Sequence, residues 1–202
     1  MDVINQILSA ILQLALFTLF PFIWYVFRYK KSSGFFQWIG LKRPSVFDRT
    51  LLEFVVLTIV VFIVVSIGIL YSLKGVDTAT SKFTGMGIVG FPSALIYAFI
   101  TTALSEEILF RGFLLKCLSG KFGFNMGNIV QSILFGLLHG AMFFSLISIV
   151  KVVLIIAFTG LIAWCMGYVN EKKANGSIMP SWIVHGMTNL FSATISMFCI
   201  IA

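Results

Sequence analysis

Six stretches of this chain are each long and apolar enough to cross a bilayer: about residues 7–27, 51–73, 92–115, 127–146, 149–169 and 179–201. A spanning helix needs about 20 mostly apolar residues. In hydrocarbon every backbone amide must find its partner inside the protein, so only helices and closed barrels span. Alternation with a period of two and dense turn signals are both missing, which argues against a barrel. The expected fold is therefore all-α, a polytopic transmembrane bundle of about six helices. Composition agrees: the chain is 59% hydrophobic and 10% charged, with mean hydropathy +1.06, whereas a soluble domain carries about a quarter charged residues. The third stretch turns polar in its second half, and the fourth and fifth are divided only around residues 145–148, with Lys151 beyond.

The net charge of +7 is better explained by topology than by nucleic acid, because cytoplasmic loops hold the Lys/Arg excess of membrane proteins. Arg28, Lys30, Lys31, Lys42, Arg43 and Arg49 fall in the first connection, Lys116 and Lys121 follow the third helix, and Lys172 and Lys173 follow the fifth. Only Lys74, Lys82 and Lys151 fall at the other end. This pattern predicts both termini outside, with Asp2 in agreement, and the basic loops in the cytoplasm. No Lys or Arg precedes Arg28, so the first stretch reads as a transmembrane helix rather than a cleaved leader with a basic start. The loop 28–50 mixes basic residues with Phe35, Phe36, Trp38 and Phe47. It suits a segment lying in the headgroup layer and equally a basic loop with aromatic-belt residues. Residues 74–91 read as a Gly-rich loop, with Pro92 opening the next helix. Cys117, Cys165 and Cys199 are scattered without CxxC spacing, which indicates neither a disulfide framework nor a thiolate metal site.

The polar residues inside these stretches ask for a purpose. A charge at the bilayer centre costs on the order of 3 kcal/mol on insertion scales, and such residues usually face a bundle interior or a wet cavity. The chain has seven acidic residues, and two of them, Glu106 and Glu107, sit together in the third stretch. Glu107 precedes Arg111 by four residues, the favourable order for a helical ion pair. Glu106 lies about 100° around an α-helix from Glu107 and can point elsewhere. The only two histidines, His139 and His185, both fall in apolar segments. Phe135 shares a helix face with His139, and Asn189 shares one with His185. From the expected inner ends, the rise of about 1.5 Å per residue puts Glu106 roughly 16 Å, His139 roughly 18 Å and His185 roughly 8 Å deep. Gly136 and Gly140 form a small-xxx-small pair that lets the fourth helix approach a neighbour.

Glu106-Glu107-x-x-x-Arg111, Phe135-x-x-x-His139 and His185-x-x-x-Asn189, in that order and in separate apolar helices, resemble the three motifs of the CPBP family. This family comprises CAAX proteases and bacteriocin-processing enzymes, also called Abi proteins. The resemblance covers about residues 92–195, and Ile39-Gly40-Leu41-Lys42-Arg43-Pro44 resembles a segment common upstream in the family. It implies a catalytic core over 92–202, preceded by transmembrane helices and a basic interfacial loop over 1–91. It also implies an intramembrane endopeptidase.

Peptide hydrolysis needs an activated water and a stabilised oxyanion. Glu106 is the expected general base, on a water that His139 helps to orient, and His185 and Asn189 are the expected oxyanion donors. The resemblance implies these same roles. Glu107, Arg111 and Phe135 are supporting residues, with Phe135 a packing group because an aromatic ring transfers no proton. No cofactor is favoured. Zinc is the alternative, since one glutamate and two histidines make the ligand set of many catalytic zinc sites: Glu106, His139 and His185 would be the ligands. His-Glu-x-x-His is absent, so those ligands would come from three helices. Ser105 is the serine nearest the glutamates. Asp2, Asp48 and Asp77 lie at expected ends or loops, which leaves no intramembrane aspartyl pair. The expected partners are a peptide or membrane-protein substrate and the lipid bilayer, with no nucleic acid. The expected setting is a bacterial plasma membrane, with the site open to the cytoplasmic half and a role in peptide processing or bacteriocin self-immunity. A non-catalytic immunity or scaffold protein of the same fold is the second reading. A small transporter is a third, disfavoured because Pro92 and Pro180 sit near helix starts rather than breaking helices.

Overall fold

A computed structural model describes residues 3–29, 33–44 and 48–201; Asp2, Lys30, Lys31 and Phe47 lie outside the described residues. The described residues form helices and connections with no strand: α1 (Val3–Arg28), α2 (Phe35–Ile39), α3 (Arg49–Ser72), α4 (Gly87–Phe122), α5 (Phe124–Phe143), α6 (Ile149–Lys173) and α7 (Met179–Met197). Five of them, α1, α3, α4, α5 and α6, are long and apolar enough to cross a membrane. The chain is a multi-pass membrane protein. The sixth expected span forms as α7 but falls outside that set, because it carries the buried polar residues Ser181, His185 and Thr188 on its inward face. It also ends at Met197 rather than at 201. Cys199 takes the left-handed φ of +51° just beyond, a conformation that does not continue a right-handed helix.

Helix α4 is the centre of the bundle. Along its first half it packs against α1 and α7, and along its second half against α1 and α5. Nearly half of α4 is π-wound, over Ile96–Leu104 and Ile108–Leu115, where the sequence pattern predicts an ordinary α-helix. The hydroxyls of Thr101, Thr102 and Ser105 each donate to the carbonyl five residues back. The carbonyl of Phe99 in the same stretch accepts the Trp182 indole N–H of α7 at 2.7 Å. π-Turns are rare and concentrate at functional sites.

Helices α5 and α6 pack closely through small residues, as the Gly136 and Gly140 spacing predicts. A Cβ on Gly136 would lie 2.5 Å from the Ile156 carbonyl oxygen and 3.3 Å from Gly160 Cα. Deeper in the same interface, Asn128 donates to the Trp164 carbonyl and Gln131 to the Ala163 carbonyl. At the basic end of the bundle, the segment 33–44 is fastened to the α6–α7 turn. Gly40 closes α2 with φ +86°, its carbonyl accepts Ile178 N–H at 2.9 Å, and half-buried Lys116 donates to the carbonyls of Trp38 and Gly176. Trp38 packs inward against Tyr29 and Phe113, while Phe36 points outward.

At the opposite end, the α3–α4 loop folds back over the bundle. Phe83 is fully buried against Tyr97, Ala193 and Met197, and Gly85 N–H donates to the Ser196 carbonyl. Lys82 Nζ sits 4.2 Å from the Tyr97 ring centre and donates to Gln6 Oε1 at 3.2 Å. Partial burial pushes its ammonium below the usual lysine range.

Candidate active site

Glu107 is fully buried and is the hub of the polar cluster. Its Oε1 lies 3.0 Å from Arg111 Nη1 and 3.0 Å from His185 Nδ1, and its Oε2 accepts from the Ser181 hydroxyl. An ionised carboxylate only accepts, so His185 carries a proton on Nδ1 and turns Nε2 away from Glu107. Arg111 is also fully buried, and its guanidinium carbon lies 4.2 Å from the centre of the Phe135 ring. Arg111 Nη1 is within ion-pair distance of Glu107 but off the line of a hydrogen bond, and the other guanidinium nitrogens have no hydrogen-bond partner among the described residues. The cation is therefore held by charge and by the aromatic face.

Glu106 points away from this ion pair, as expected, and reaches a cavity of about 390 Å³. Its Oε2 is buried, has no hydrogen-bond partner among the described residues, and lies 3.7 Å from His185 Nε2. That gap is too long for a direct hydrogen bond and suits a bridging water. His139 Nδ1 lies 3.0 Å from the Phe135 carbonyl oxygen. A carbonyl accepts, so Nδ1 carries the proton and Nε2 is the ring's free nitrogen. Asn189 Nδ2 donates to Thr102 Oγ1 at 2.7 Å, and the Thr102 proton goes to the Tyr97 carbonyl at 3.0 Å. One N–H of the Asn189 amide is left over.

The structure thus brings Glu106, His139, His185, Asn189 and Phe135 to the wall of one cavity. Phe135 is the aromatic hub, 4.4 Å from the His139 ring, 5.9 Å from the His185 ring and beneath Arg111. Glu107 and Arg111 stand behind the wall. Ser105 does not join them: it is fully buried and donates to the Ile100 carbonyl. Glu106, His139 and His185, the ligand set considered for zinc, share the cavity. Among the described residues, however, no three His, Cys, Asp or Glu side chains are grouped to hold a metal ion.

The cavity has an apolar side, built by Phe62 and Leu70 of α3 and by Phe158 and Ile162 of α6. It runs from mid-bundle toward the α3–α4 loop, which supplies Thr78, Ala79 and Thr80 to its wall. The basic residues cluster at the other end. The lining residues of the α3–α4 loop thus lie on the side of the bundle away from the basic loops.

Three site residues went unread in the sequence. Ser181 stands four residues before His185 and Thr102 four before Glu106, so helical spacing alone would have placed each on its partner's face. Asn170, which donates to Ser181 Oγ at 2.6 Å, comes from the π-turn Val169–Lys173 that ends α6, and no periodicity signals it.

Residues 88–191, just over half of the chain and all three motifs, match the family model described as type II CAAX prenyl endopeptidase Rce1-like. No curated protein and no solved structure matches the chain. On the family match, the chain belongs to the Rce1-like type II CAAX prenyl endopeptidases, a family of intramembrane proteases.

Proposed function

We propose that this chain is an intramembrane endopeptidase that hydrolyses a peptide bond in a membrane-associated protein or peptide, with Glu106 as general base. The observation that carries this reading is the bare Glu106 Oε2, 3.7 Å from His185 Nε2 at the wall of a cavity shared with His139 and Asn189. A water in that gap gives its proton to Glu106 as its oxygen bonds to the scissile carbonyl carbon, and His139 Nε2 holds the water's other proton. The carbonyl oxygen becomes the oxyanion. The spare N–H of Asn189 donates to it, and the His185 ring faces it with Glu107 as the counter-charge behind the ring. Collapse of the intermediate breaks the C–N bond, and Glu106 returns its proton to the leaving amine. General-base catalysis contributes about 10²–10⁴-fold, and one oxyanion donor about 10²–10³-fold.

The substrate class we favour is a small membrane-bound peptide, as in bacterial peptide processing or bacteriocin self-immunity. The basic, Lys-rich loops, which suit a bacterial plasma membrane, support that choice over prenylated proteins. The test is peptide profiling of membranes carrying the wild type or Glu106→Gln, followed by cleavage of the identified peptide in liposomes. Glu106→Gln and His139→Ala are expected to lose at least about 100-fold in rate at unchanged protein level. Full activity in either variant overturns the assignment. A biological role that survives Glu106→Gln would instead favour the non-catalytic immunity or scaffold protein.

A further inference from the structure

We propose that Ser181 and Asn170 are positioning residues, which fix the Glu107–His185 pair through a one-way chain of hydrogen bonds; the proposal rests on the catalytic role given to His185 above. Both are almost completely buried, at 1% and 0% exposure, and neither lines the cavity. Neither touches substrate, so both act through Glu107.

The direction of each bond follows from what each atom has to give. Ser181 has one hydroxyl proton and two acceptors in reach, Glu107 Oε2 and the Ile178 carbonyl oxygen at 3.0 Å. The charged carboxylate makes the stronger bond and takes the proton. The Ser181 oxygen then accepts from Asn170 Nδ2 at 2.6 Å. The amide orientation is fixed independently, because Asn170 Oδ1 accepts the Ser181 backbone N–H at 3.3 Å. The chain therefore runs from the Asn170 amide to the Ser181 hydroxyl to the Glu107 carboxylate, which also accepts His185 Nδ1–H. Every link polarises the next in the same sense. The chain is anchored outside the site, since the Asn170 carbonyl accepts Gly176 N–H at 2.7 Å in the turn that holds segment 33–44.

Asn170 also has a bland role. Its Oδ1 satisfies one of the free backbone N–H groups in the first turn of α7, where α7's own N-cap supplies no side-chain bond. The substitution Asn170→Asp separates the two roles. Aspartate keeps the capping oxygen, and a negative charge near a helix N-terminus is favourable. It loses the Nδ2 donor, however, and offers Ser181 an acceptor that competes with Glu107 for the single hydroxyl proton. A structural role survives this change and a positioning role does not. Ser181→Ala removes the hydroxyl, and Ser181→Thr restores it.

The experiment is nitrogen NMR of ring-labelled histidine in the full chain in lipid nanodiscs, beside steady-state kinetics and thermal unfolding. With two histidines in the chain, the spectrum holds His139 and His185 alone. Asn170→Asp and Ser181→Ala are expected to shift the His185 Nδ1 resonance at fixed pH and leave the His139 resonances in place. They should lower kcat about tenfold or more with KM nearly unchanged, in line with the loss of one hydrogen bond to a charged group. Asn170→Asp is expected to fold, at a lowered unfolding temperature because it buries a carboxylate, and Ser181→Thr to restore what Ser181→Ala loses. An unchanged His185 Nδ1 resonance in Asn170→Asp overturns the proposal, and that variant decides the matter if Ser181→Ala does not fold. A shifted ring in a wild-type protein without peptidase activity upholds the positioning chain and removes only the catalytic reading.

Discussion

Replacing Glu107 and Arg111 singly and together separates what this buried ion pair does for the fold from what it does for the site. Removing one partner of a buried pair costs about 3–5 kcal/mol, because the other charge is left uncompensated. The two singles should not be equal. Arg111→Met leaves Glu107 with the Ser181 hydroxyl and the His185 N–H, so its cost belongs near the low end, about 3 kcal/mol. Glu107→Met leaves a fully buried guanidinium with the Phe135 ring 4.2 Å away and the weaker, more distant charge of Glu106. A desolvated cation–π contact returns about 2 kcal/mol, against a charge in hydrocarbon, so this cost belongs near the high end, about 5 kcal/mol. In the double variant neither member of the pair is left without the other. The Ser181 proton turns to the Ile178 carbonyl at 3.0 Å, and the main loss is one unsatisfied His185 N–H, about 1–3 kcal/mol. The double variant should therefore be more stable than Glu107→Met alone, yet have no peptidase activity. Reversible unfolding of the four proteins in mixed micelles, titrated with denaturing detergent, measures the cycle. Additivity within about 0.5 kcal/mol, the behaviour of independent sites, would refute the reasoning. So would Arg111→Met costing more than Glu107→Met.

Three further outcomes are expected. In a cysteine-free background, Asp77→Cys, at the cavity end, should react with a membrane-impermeant maleimide added to intact cells, and Asn175→Cys, at the basic end, should not. The mirror result would reverse the orientation drawn from charge and open the cavity to the cytoplasm. Chelator treatment of purified wild type should leave cleavage unchanged; one zinc per chain whose removal abolishes activity would assign Glu106, His139 and His185 to a metal instead. Because burial lowers the Lys82 proton affinity, the unfolded chain binds more protons just below the usual lysine value of about 10.4, and stability rises with pH there. The unfolding temperature of wild type relative to Lys82→Met should accordingly climb as the pH rises toward about 10.4, and a flat difference would show that Lys82 is freely solvated.

Much of this protein was legible because a bilayer is an exacting solvent. An apolar run of about 20 residues has one cheap conformation in hydrocarbon, so the helices and most of their ends follow from composition. The intramembrane charges announce themselves for the same reason, since each costs too much to be there without a partner. Glu107 with Arg111, and the close approach at Gly136, needed only helical spacing. What spacing could not supply was winding and register between helices. The π-turns of α4 have no sequence signature. They go with local hydroxyl bonds to the carbonyl five residues back and with a bond from another helix, the Trp182 indole on the Phe99 carbonyl.

The sequence by itself determined the all-helical membrane class, the family motifs and the identity of the polar residues, because these depend on local composition and intrahelical spacing. Only the tertiary structure decided that Glu107 faces His185 and Ser181 rather than Arg111 alone, that Asn170 reaches Ser181 from α6, and that the cavity runs toward the α3–α4 loop. Those facts join residues up to 78 positions apart, and nothing local to either partner encodes the rotation of one helix against another. That rotation is set by the packing of whole helix faces, where a glycine or an indole on one side finds its space on the other.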